Sequence, residues 1–327
     1  MALARGTVLV LRALGLGDLL TAVPALRGLR AARPGDRLVL AAPAGLAPLA
    51  ALTGAVDEVL PAAGLAAPPV LPDRAAGPAL AVNLHGRGPR STRSLLRLRP
   101  GALWAYAHPE LPEVAGPPWR DGEHEVARWC RLLAAHGVVA DPADLDLPAP
   151  PGPGPAPGAV VVHPGASSGS RRWPVGRFAA VAGALRRAGH RVVVTGSEAE
   201  RPLATVVAVR AGLPPAAVLA GRTDVLDLAA LVAGARLVVC GDTGVGHLAT
   251  AYGTPSVLLF GPVPATEWGP PSDRAQHVVL GGDGPGRRDP HGDEPDPGLL
   301  AVQVPAVLAA ADAALPRRGL AGAATAP

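Results

Sequence analysis

Three polar side chains follow an apolar run near the middle of the second half of the chain. Asp242, Thr243 and His247 come directly after residues 237–240, within CGDTGVGH, and a second apolar run follows at 256–260. The order strand, glycine turn, helix, strand predicts a βαβ unit. Unpaired backbone N–H groups at the positive end of the helix dipole can hold an anion. The pattern therefore predicts an anion site, and the alternative is an ordinary α/β turn without a ligand.

A carboxylate takes the corresponding place in the first half of the chain. Asp18 follows the apolar run 7–11 and the glycines of the sequence GLG. A dinucleotide fingerprint requires a third glycine at position 20, where Leu20 stands, so hydride transfer is disfavoured. Asp18 can cap the following helix or, if it faces a cleft, accept a proton from a bound hydroxyl. The sequence leaves both roles open.

Two further loops follow predicted strands. The loop 163–174 combines small hydroxyls and glycines with Arg171 and Arg172, groups that suit a phosphate. Because it would lie beside the Asp242 turn on one sheet, the two loops indicate a diphosphate site; the alternative is a solvated loop anchored by Trp173. The loop 83–91 can contact a polar or anionic acceptor, and an ordinary polar loop is an equal alternative.

Apolar runs alternate with helical patterns along the chain and predict an α/β protein with parallel sheets. The proline- and glycine-rich stretch 147–158 predicts a linker. We expect two Rossmann-like domains facing a central cleft, over 1–150 and 159–300, and a C-terminal helix and tail over 301–327. The predicted strands are 7–11, 38–42, 57–60, 79–84, 159–163, 191–195, 218–220, 237–240 and 256–260. The predicted helices are 19–32, in which Pro24 makes a kink or begins the main part, 46–52, 123–136, 175–188, 200–211, 225–233, a segment that follows His247 and ends at Tyr252, and 305–315. We expect a polar loop over 281–298 and a frayed tail over 316–327.

Composition disfavours several function classes. All 30 basic residues are arginine, the net charge is only +4, and the arginines are dispersed without interleaved aromatics, which disfavours nucleic-acid binding. Two cysteines, Cys130 and Cys240, are too few for a disulfide framework and indicate a reducing cytoplasm. No set of side chains has metal-ligand spacing, and no apolar segment is long enough to span a membrane. We expect no metal and a cytoplasmic protein.

Several segments together resemble glycosyltransferase family 9, the heptosyltransferase-like enzymes of the GT-B fold. The resemblance implies transfer of a sugar, heptose by family default, from a nucleotide-diphosphate donor to a lipopolysaccharide-core-type acceptor or another cell-envelope glycan, with inversion and without a metal. The first domain would bind the acceptor and the second the donor. The matching segments run in family order over nearly the whole chain: 12–18, 24–30, 57–59, 171–174, 221–223, 240–248 and 260–262.

The resemblance also implies roles for single residues. Asp18 matches the general base, and Arg171 stands where the family usually has a lysine that holds the donor diphosphate. Asp242 would repel the diphosphate if it pointed inward, so we expect it to bind sugar hydroxyls or brace its turn. The implied donor-binding residues are Ser167, Ser168, Arg171, Asp242, Thr243, Gly244, Val245 and His247, with the nucleoside near 219–224. The implied acceptor-binding residues are Gly17, Asn83, His85, Arg87 and Arg90, and Asn83 replaces an aspartate that many members carry.

The expected partners follow from the same resemblance. We expect no cofactor, an ADP-linked sugar as co-substrate, a glycan or glycolipid acceptor, peripheral contact with the inner face of the membrane, and a monomer. Two alternatives remain open at this point. One is a GT-B sugar-nucleotide epimerase, which would convert the donor without an acceptor, and the other is a non-catalytic nucleotide-sugar-binding protein.

Overall fold

Two five-stranded parallel sheets, one from each half of the chain, organise the fold. The computed structural model describes residues 6–65, 77–282 and 289–315. The first sheet has the order β3-β2-β1-β4-β5 and the second β10-β9-β8-β6-β7. The strands are β1 (Thr7–Leu11), β2 (Arg37–Ala42), β3 (Glu58–Pro61), β4 (Leu80–Asn83), β5 (Ala102–Trp104), β6 (Val160–His163), β7 (Val192–Val194), β8 (Leu237–Gly241), β9 (Ser256–Phe260) and β10 (His277–Gly281).

Helices cover both faces of each sheet, which explains why the central strands are continuous apolar runs rather than alternating ones. In β1, Val10 lies beside Leu40 on one side and Val82 on the other, and all three are fully buried. The helices are α1 (Leu16–Thr21), α2 (Val23–Ala32), α3 (Ala47–Ala51), α4 (Arg90–Leu96), α5 (Glu125–Ala134), α6 (Val175–Arg187), α7 (Arg201–Arg210), α8 (Val225–Ala233), α9 (Gly244–Ala251), α10 (Ala265–Trp268), α11 (Pro297–Ala301) and α12 (Val304–Ala314).

The first helical region is divided where the sequence predicted a break. α1 ends at Thr21 and α2 starts at Val23, so Pro24 lies in the first turn of α2. A proline there costs little, because the first N–H groups of a helix have no intrahelical partner. Of the two expected effects of Pro24, a kink or the start of the main part of the helix, the structure shows the second. The predicted start at residue 19 was three residues late, since α1 begins at Leu16.

Other predictions need correction. Residues 218–220 do not form a strand of the sheet; Val218 makes only an isolated bridge to Val194, directly after a 3₁₀ turn at Pro215–Ala217. The sequence did not indicate α4, α10, α11, β5 or β10, which are short or poor in apolar periodicity. Within the predicted loop 281–298, α11 starts at Pro297; residues 283–288 and the predicted tail 316–327 lie outside the described residues.

The predicted linker has no helix or strand, but it is not a free spacer. The Leu147 N–H donates to the Ala251 carbonyl at 3.0 Å. Gly154 lies so close to α8 that a Cβ there would come within 2.6 Å of the Ala230 backbone. The linker is therefore packed on the second domain.

The two domains also touch directly. α1 of the first domain packs against α9 of the second, and α3 packs against α8. The buried apolar cluster that includes Val8 of β1 also includes Leu258 of β9. Among the described residues, no helix combines the length and apolarity needed to cross a bilayer.

Candidate active site

The starts of two helices face each other across a cavity between the domains. The cavity holds about 590 Å³ and lies at the carboxyl ends of β1, β6 and β8. Open α/β sheets bind ligands at this end of their strands. The sequence-predicted site residues that line it are Gly17, Asp18, Ser167, Arg171, Asp242, Thr243, Gly244 and His247.

Two glycines allow the facing helices to come this close. A Cβ on Gly17 would lie 2.7 Å from Cδ2 of His247, and a Cβ on Gly244 would lie 2.7 Å from Cβ of Leu16. Both distances are too short for real contacts, so a side chain at either position would require the facing side chain or its helix to shift. Gly17, predicted to bind the acceptor, therefore lies against the second domain in this arrangement.

Both carboxylate oxygens of Asp18 have partners in the first domain, and the side chain also lines the cavity. It is the third residue of α1, and its Oδ2 accepts the Gly15 N–H at 3.1 Å. Its Oδ1 lies 3.2 Å from Nη2 of Arg12, and the side chain stays 24% exposed. The N-cap position belongs to Gly15, so the simple capping role is corrected: Asp18 braces the helix start and also lines the cavity.

Arg171 and Asp242 form an ion pair on the second domain. Nη1 of Arg171 donates to Oδ2 of Asp242 at 3.0 Å. Burial raises the pKa of Asp242; Arg171 opposes the shift and Asp18 adds to it. Asp242 thus holds the arginine beside the start of α9. This geometry agrees with a bracing role for Asp242.

The start of α9 brings further groups to the cavity. Thr243 is the N-cap of α9, and the first N–H groups of that helix have no intrahelical acceptor. Burial, with smaller contributions from His124 and Arg12, lowers the pKa of His247 to about 4. His247 is therefore a neutral ring at pH 7, packed edge-on to Trp268 at 6.1 Å between centroids. The helix start can hold an anion, and His247 can accept or donate one hydrogen bond.

Two predicted donor-binding side chains do not face the cavity. The Ser168 hydroxyl donates to the Pro290 carbonyl at 2.7 Å and lies 3.1 Å from the Ser170 hydroxyl. Val245 is buried in the apolar core, so its backbone alone is available at the start of α9. These two predictions are corrected for the side chains. Ser167, by contrast, is exposed and lines the cavity.

The predicted acceptor residues on the loop after β4 lie outside this cavity. Asn83 is fully buried, and its amide donates to the Ser91 and Thr92 hydroxyls at 3.0 Å each. It therefore holds the loop in shape and does not reach an acceptor, which corrects that prediction. His85 is half-buried, and burial together with Arg12 lowers its pKa. The exposed side chains are Arg87 and Arg90.

Sequence reasoning missed several neighbours of the site. Glu200 lines the cavity beside Gly165 and accepts the Ser197 N–H at 2.8 Å. His163 also lines it, with Nδ1 3.0 Å from the Thr195 hydroxyl. The predicted nucleoside segment 219–224 does not line the cavity. A separate groove of about 660 Å³ between the domains contains none of the predicted site residues.

In the described ranges, no group of three or more His, Cys, Asp or Glu side chains is placed to hold a metal ion. The groups at the cavity thus include Asp18, the Arg171–Asp242 pair, the neutral His247, the start of α9, and also Glu200 and His163. This set can hold an anion on one wall and accept a proton on the other.

Comparison with known proteins gives a consistent picture. Residues 117–287, just over half of the chain, match the family model "Glycosyltransferase family 9 (heptosyltransferase)". Lipopolysaccharide heptosyltransferase 3 of Escherichia coli is 33% identical over 162 residues, 48% of this chain and 47% of that protein. The match spans about half the length of that curated relative.

Solved structures resemble the chain over nearly its whole length. The structure of E. coli ADP-heptose LPS heptosyltransferase II has a TM-score of 0.73 at 20% identity, covering 94% of this chain and 98% of that one. The structure of an E. coli heptosyltransferase with ADP-2-deoxy-2-fluoro heptose has a TM-score of 0.65 at 21% identity, covering 94% and 99%. These likenesses confirm the predicted GT-B fold of two parallel-sheet domains.

Proposed function

This chain belongs to glycosyltransferase family 9 (heptosyltransferase), and from that premise we propose that it is an inverting sugar transferase. Its donor is a nucleotide-diphosphate sugar, an ADP-linked heptose by family default. Its acceptor is a lipopolysaccharide-core-type or other cell-envelope glycan. One observation carries the proposal: Asp18 of the first domain and the Arg171–Asp242 pair of the second line the same cavity.

The proposed reaction is a single displacement. An acceptor hydroxyl oxygen attacks the anomeric carbon of the donor from the face opposite the diphosphate, and its proton passes to the Asp18 carboxylate. The bond from the anomeric carbon to the diphosphate oxygen breaks, and the electron pair leaves with the nucleoside diphosphate. Formation of one bond opposite the broken one inverts the configuration.

The second domain stabilises the leaving group in this proposal. Arg171 supplies a fixed positive charge, and the start of α9 supplies backbone N–H groups and the positive end of a helix dipole. These groups carry the developing negative charge without a metal ion. Asp242 keeps Arg171 at the helix start, so the diphosphate would share the arginine with it.

Donor binding is tested by thermal unfolding with a panel of ADP-, GDP- and UDP-linked sugars. A ligand that binds only the folded state at 100 times its Kd stabilises it by about 2.7 kcal/mol, so the matching donor should raise Tm by about 4 °C. We expect ADP-heptose to give the largest shift. No shift with any nucleotide sugar would contradict the donor site.

Incubation with the donor alone separates the alternatives. A transferase leaves the sugar configuration of the free donor unchanged, whereas an epimerase converts it without an acceptor. A non-catalytic binder would shift Tm but release no nucleoside diphosphate with any acceptor glycan.

The proposal includes a monomer in the cytoplasm that touches an anionic membrane face through α4. Residues 77–109 contain five arginines and no aspartate or glutamate. Arg90, Arg93 and Arg97 are all exposed, at a spacing that puts them on one side of α4. Arg93 also pairs with Glu110 at 2.8 Å. Each arginine near an anionic lipid surface contributes about 1 kcal/mol of attraction.

Vesicle sedimentation tests this contact. The protein should sediment with vesicles of mixed anionic and zwitterionic phospholipid at low salt and stay in solution with zwitterionic vesicles. R90A/R97A should lower the bound fraction about tenfold or more, since it removes two such charges. The matched control is R186A/R187A, which removes two exposed arginines at the end of α6. Equal losses in both variants, or no loss in the first, would exclude α4 as the contact surface.

A further inference from the structure

The guanidinium of Arg12 is buried behind the cavity. Arg12 is 1% exposed. Its Nε donates to the Asp18 carbonyl at 2.9 Å, and its Nη1 donates to the Leu84 carbonyl. The group also lies over the Trp129 ring, 4.9 Å from the centroid. A buried charge of this kind needs paired negative groups to be tolerated.

Two carboxylates share one nitrogen of this guanidinium. Nη2 of Arg12 lies 2.9 Å from Oε1 of Glu125 and 3.2 Å from Oδ1 of Asp18. The two carboxylates differ in exposure: the Glu125 side chain is 9% exposed, whereas that of Asp18 is 24% exposed and opens to the cavity. Only Asp18 can therefore reach a substrate.

Glu125 is itself held in place by its own helix. Its Oε1 also accepts the Trp129 Nε1–H at 3.0 Å, and its Oε2 accepts Nε–H of Arg128 at 3.2 Å. The Glu125 carboxylate is thus held in place, and it does not line the cavity. It lies 113 residues after Arg12 in the chain, and no local pattern links the two.

Other ionisable groups lie at or beside the cavity that Asp18 lines. They are Arg12, His85, His163, Arg171, Glu200, Asp242, His247 and His291. Arg171 and Asp242 balance each other at 3.0 Å. Burial lowers the pKa values of His85 and His247, so both rings are neutral at pH 7. Arg12 is the charged group in direct contact with Asp18, and Glu125 shares that contact.

We propose that Glu125 is a positioning residue that keeps Asp18 basic by sharing Arg12 with it, an inference that rests on the proposed role of Asp18 as the base. A carboxylate that faced Arg12 alone would interact with its full positive charge, and such a charge opposes the uptake of a proton. The negative charge of Glu125 offsets part of that attraction. A general base works best when its pKa lies near the pH at which the enzyme works.

The test is the pH profile of kcat for E125Q. The amide keeps an oxygen acceptor for Arg12 and Trp129 but removes the negative charge. Asp18 then faces an unshared cation. The acid limb of the profile should move to lower pH by about 0.5 to 1 unit, and the plateau should fall about 3- to 10-fold, because a more easily ionised carboxylate is a weaker base. Donor affinity, measured by calorimetry, should stay unchanged.

E123Q is the matched control. Glu123 pairs with Arg131 at 2.6 Å on the same segment, and its carboxylate also lies 3.8 Å from Arg128, but no contact joins it to Arg12. Its acid limb should stay at the wild-type position. If E125Q does not fold, E125D and E123D are compared instead. Only E125D should shift the acid limb of the pH profile, because its side chain is one methylene shorter and places the carboxylate farther from Arg12.

The results for E125Q and D18N distinguish a failure of the inference about Glu125 from a failure of the proposed role of Asp18. An unchanged acid limb in E125Q, or an equal shift in E123Q, overturns the inference about Glu125 while leaving Asp18 as the proposed base. Near-wild-type turnover in D18N would instead remove Asp18 from the reaction, and the inference would fall with the proposed function.

Discussion

D18N is expected to lose at least about 100-fold in kcat, because the amide cannot accept the proton of the attacking hydroxyl. The amide is nearly isosteric, and its oxygen can still accept a hydrogen bond from Gly15 or Arg12. Donor affinity should change little, since the groups proposed to hold the diphosphate lie on the second domain. The measurements are turnover from released nucleoside diphosphate and donor Kd by calorimetry.

The matched control for D18N is D312N, which makes the same chemical change on the exposed face of α12. It should keep wild-type kcat. Turnover of D18N within a few fold of wild type would show that another group accepts the proton or that none is needed. A large loss of donor affinity in D18N would show instead that the carboxylate takes part in binding.

R171A is expected to lower kcat/KM about 100- to 1000-fold, the usual cost of removing one group that stabilises developing negative charge. The loss has two parts. The diphosphate loses its cation, and the buried Asp242 loses the partner that it holds at 3.0 Å. Burial already raises the pKa of Asp242, so without Arg171 this carboxyl should take up a proton more readily. The measurements are initial rates over a range of donor concentrations.

R171K provides the comparison variant. Lysine keeps the charge but loses the planar fork of donors, so kcat/KM should remain within about tenfold of wild type. Equal losses in R171A and R171K would mean that the shape of the guanidinium matters more than its charge. An unchanged kcat/KM for the donor in R171A would remove Arg171 from the proposed diphosphate site.

The sequence was most informative where a carboxylate residue follows a buried strand. Asp18 comes shortly after β1 and Asp242 directly after β8, and the carboxyl ends of parallel strands share one edge of each sheet. That rule is enough to place both near a cleft. The apolar runs of β1 and β8 were equally clear, because strands buried on both faces need no alternation.

The rest of the site depends on contacts between distant parts of the chain. Arg12 meets Glu125 only after α5 has folded against α2, and no spacing in the sequence indicates the pair. For Asn83 the sequence predicted a contact that the structure does not show. A polar residue at the end of a strand can form hydrogen bonds within its own loop instead of binding a ligand. α4 was missed since its arginines and serines leave few apolar positions to reveal a helical period.

The chain passes from one domain to the other within a few residues. Arg27 of α2 binds the Asp144 side chain, whereas Arg274 of the second domain holds Asp146 at 2.7 Å and the Leu147 N–H is bound by the second domain as well. The peptide between Asp144 and Leu147 is thus gripped from both sides. If one domain rotates relative to the other, the hinge lies near this short peptide. The proline-rich stretch that follows would then move together with the second domain.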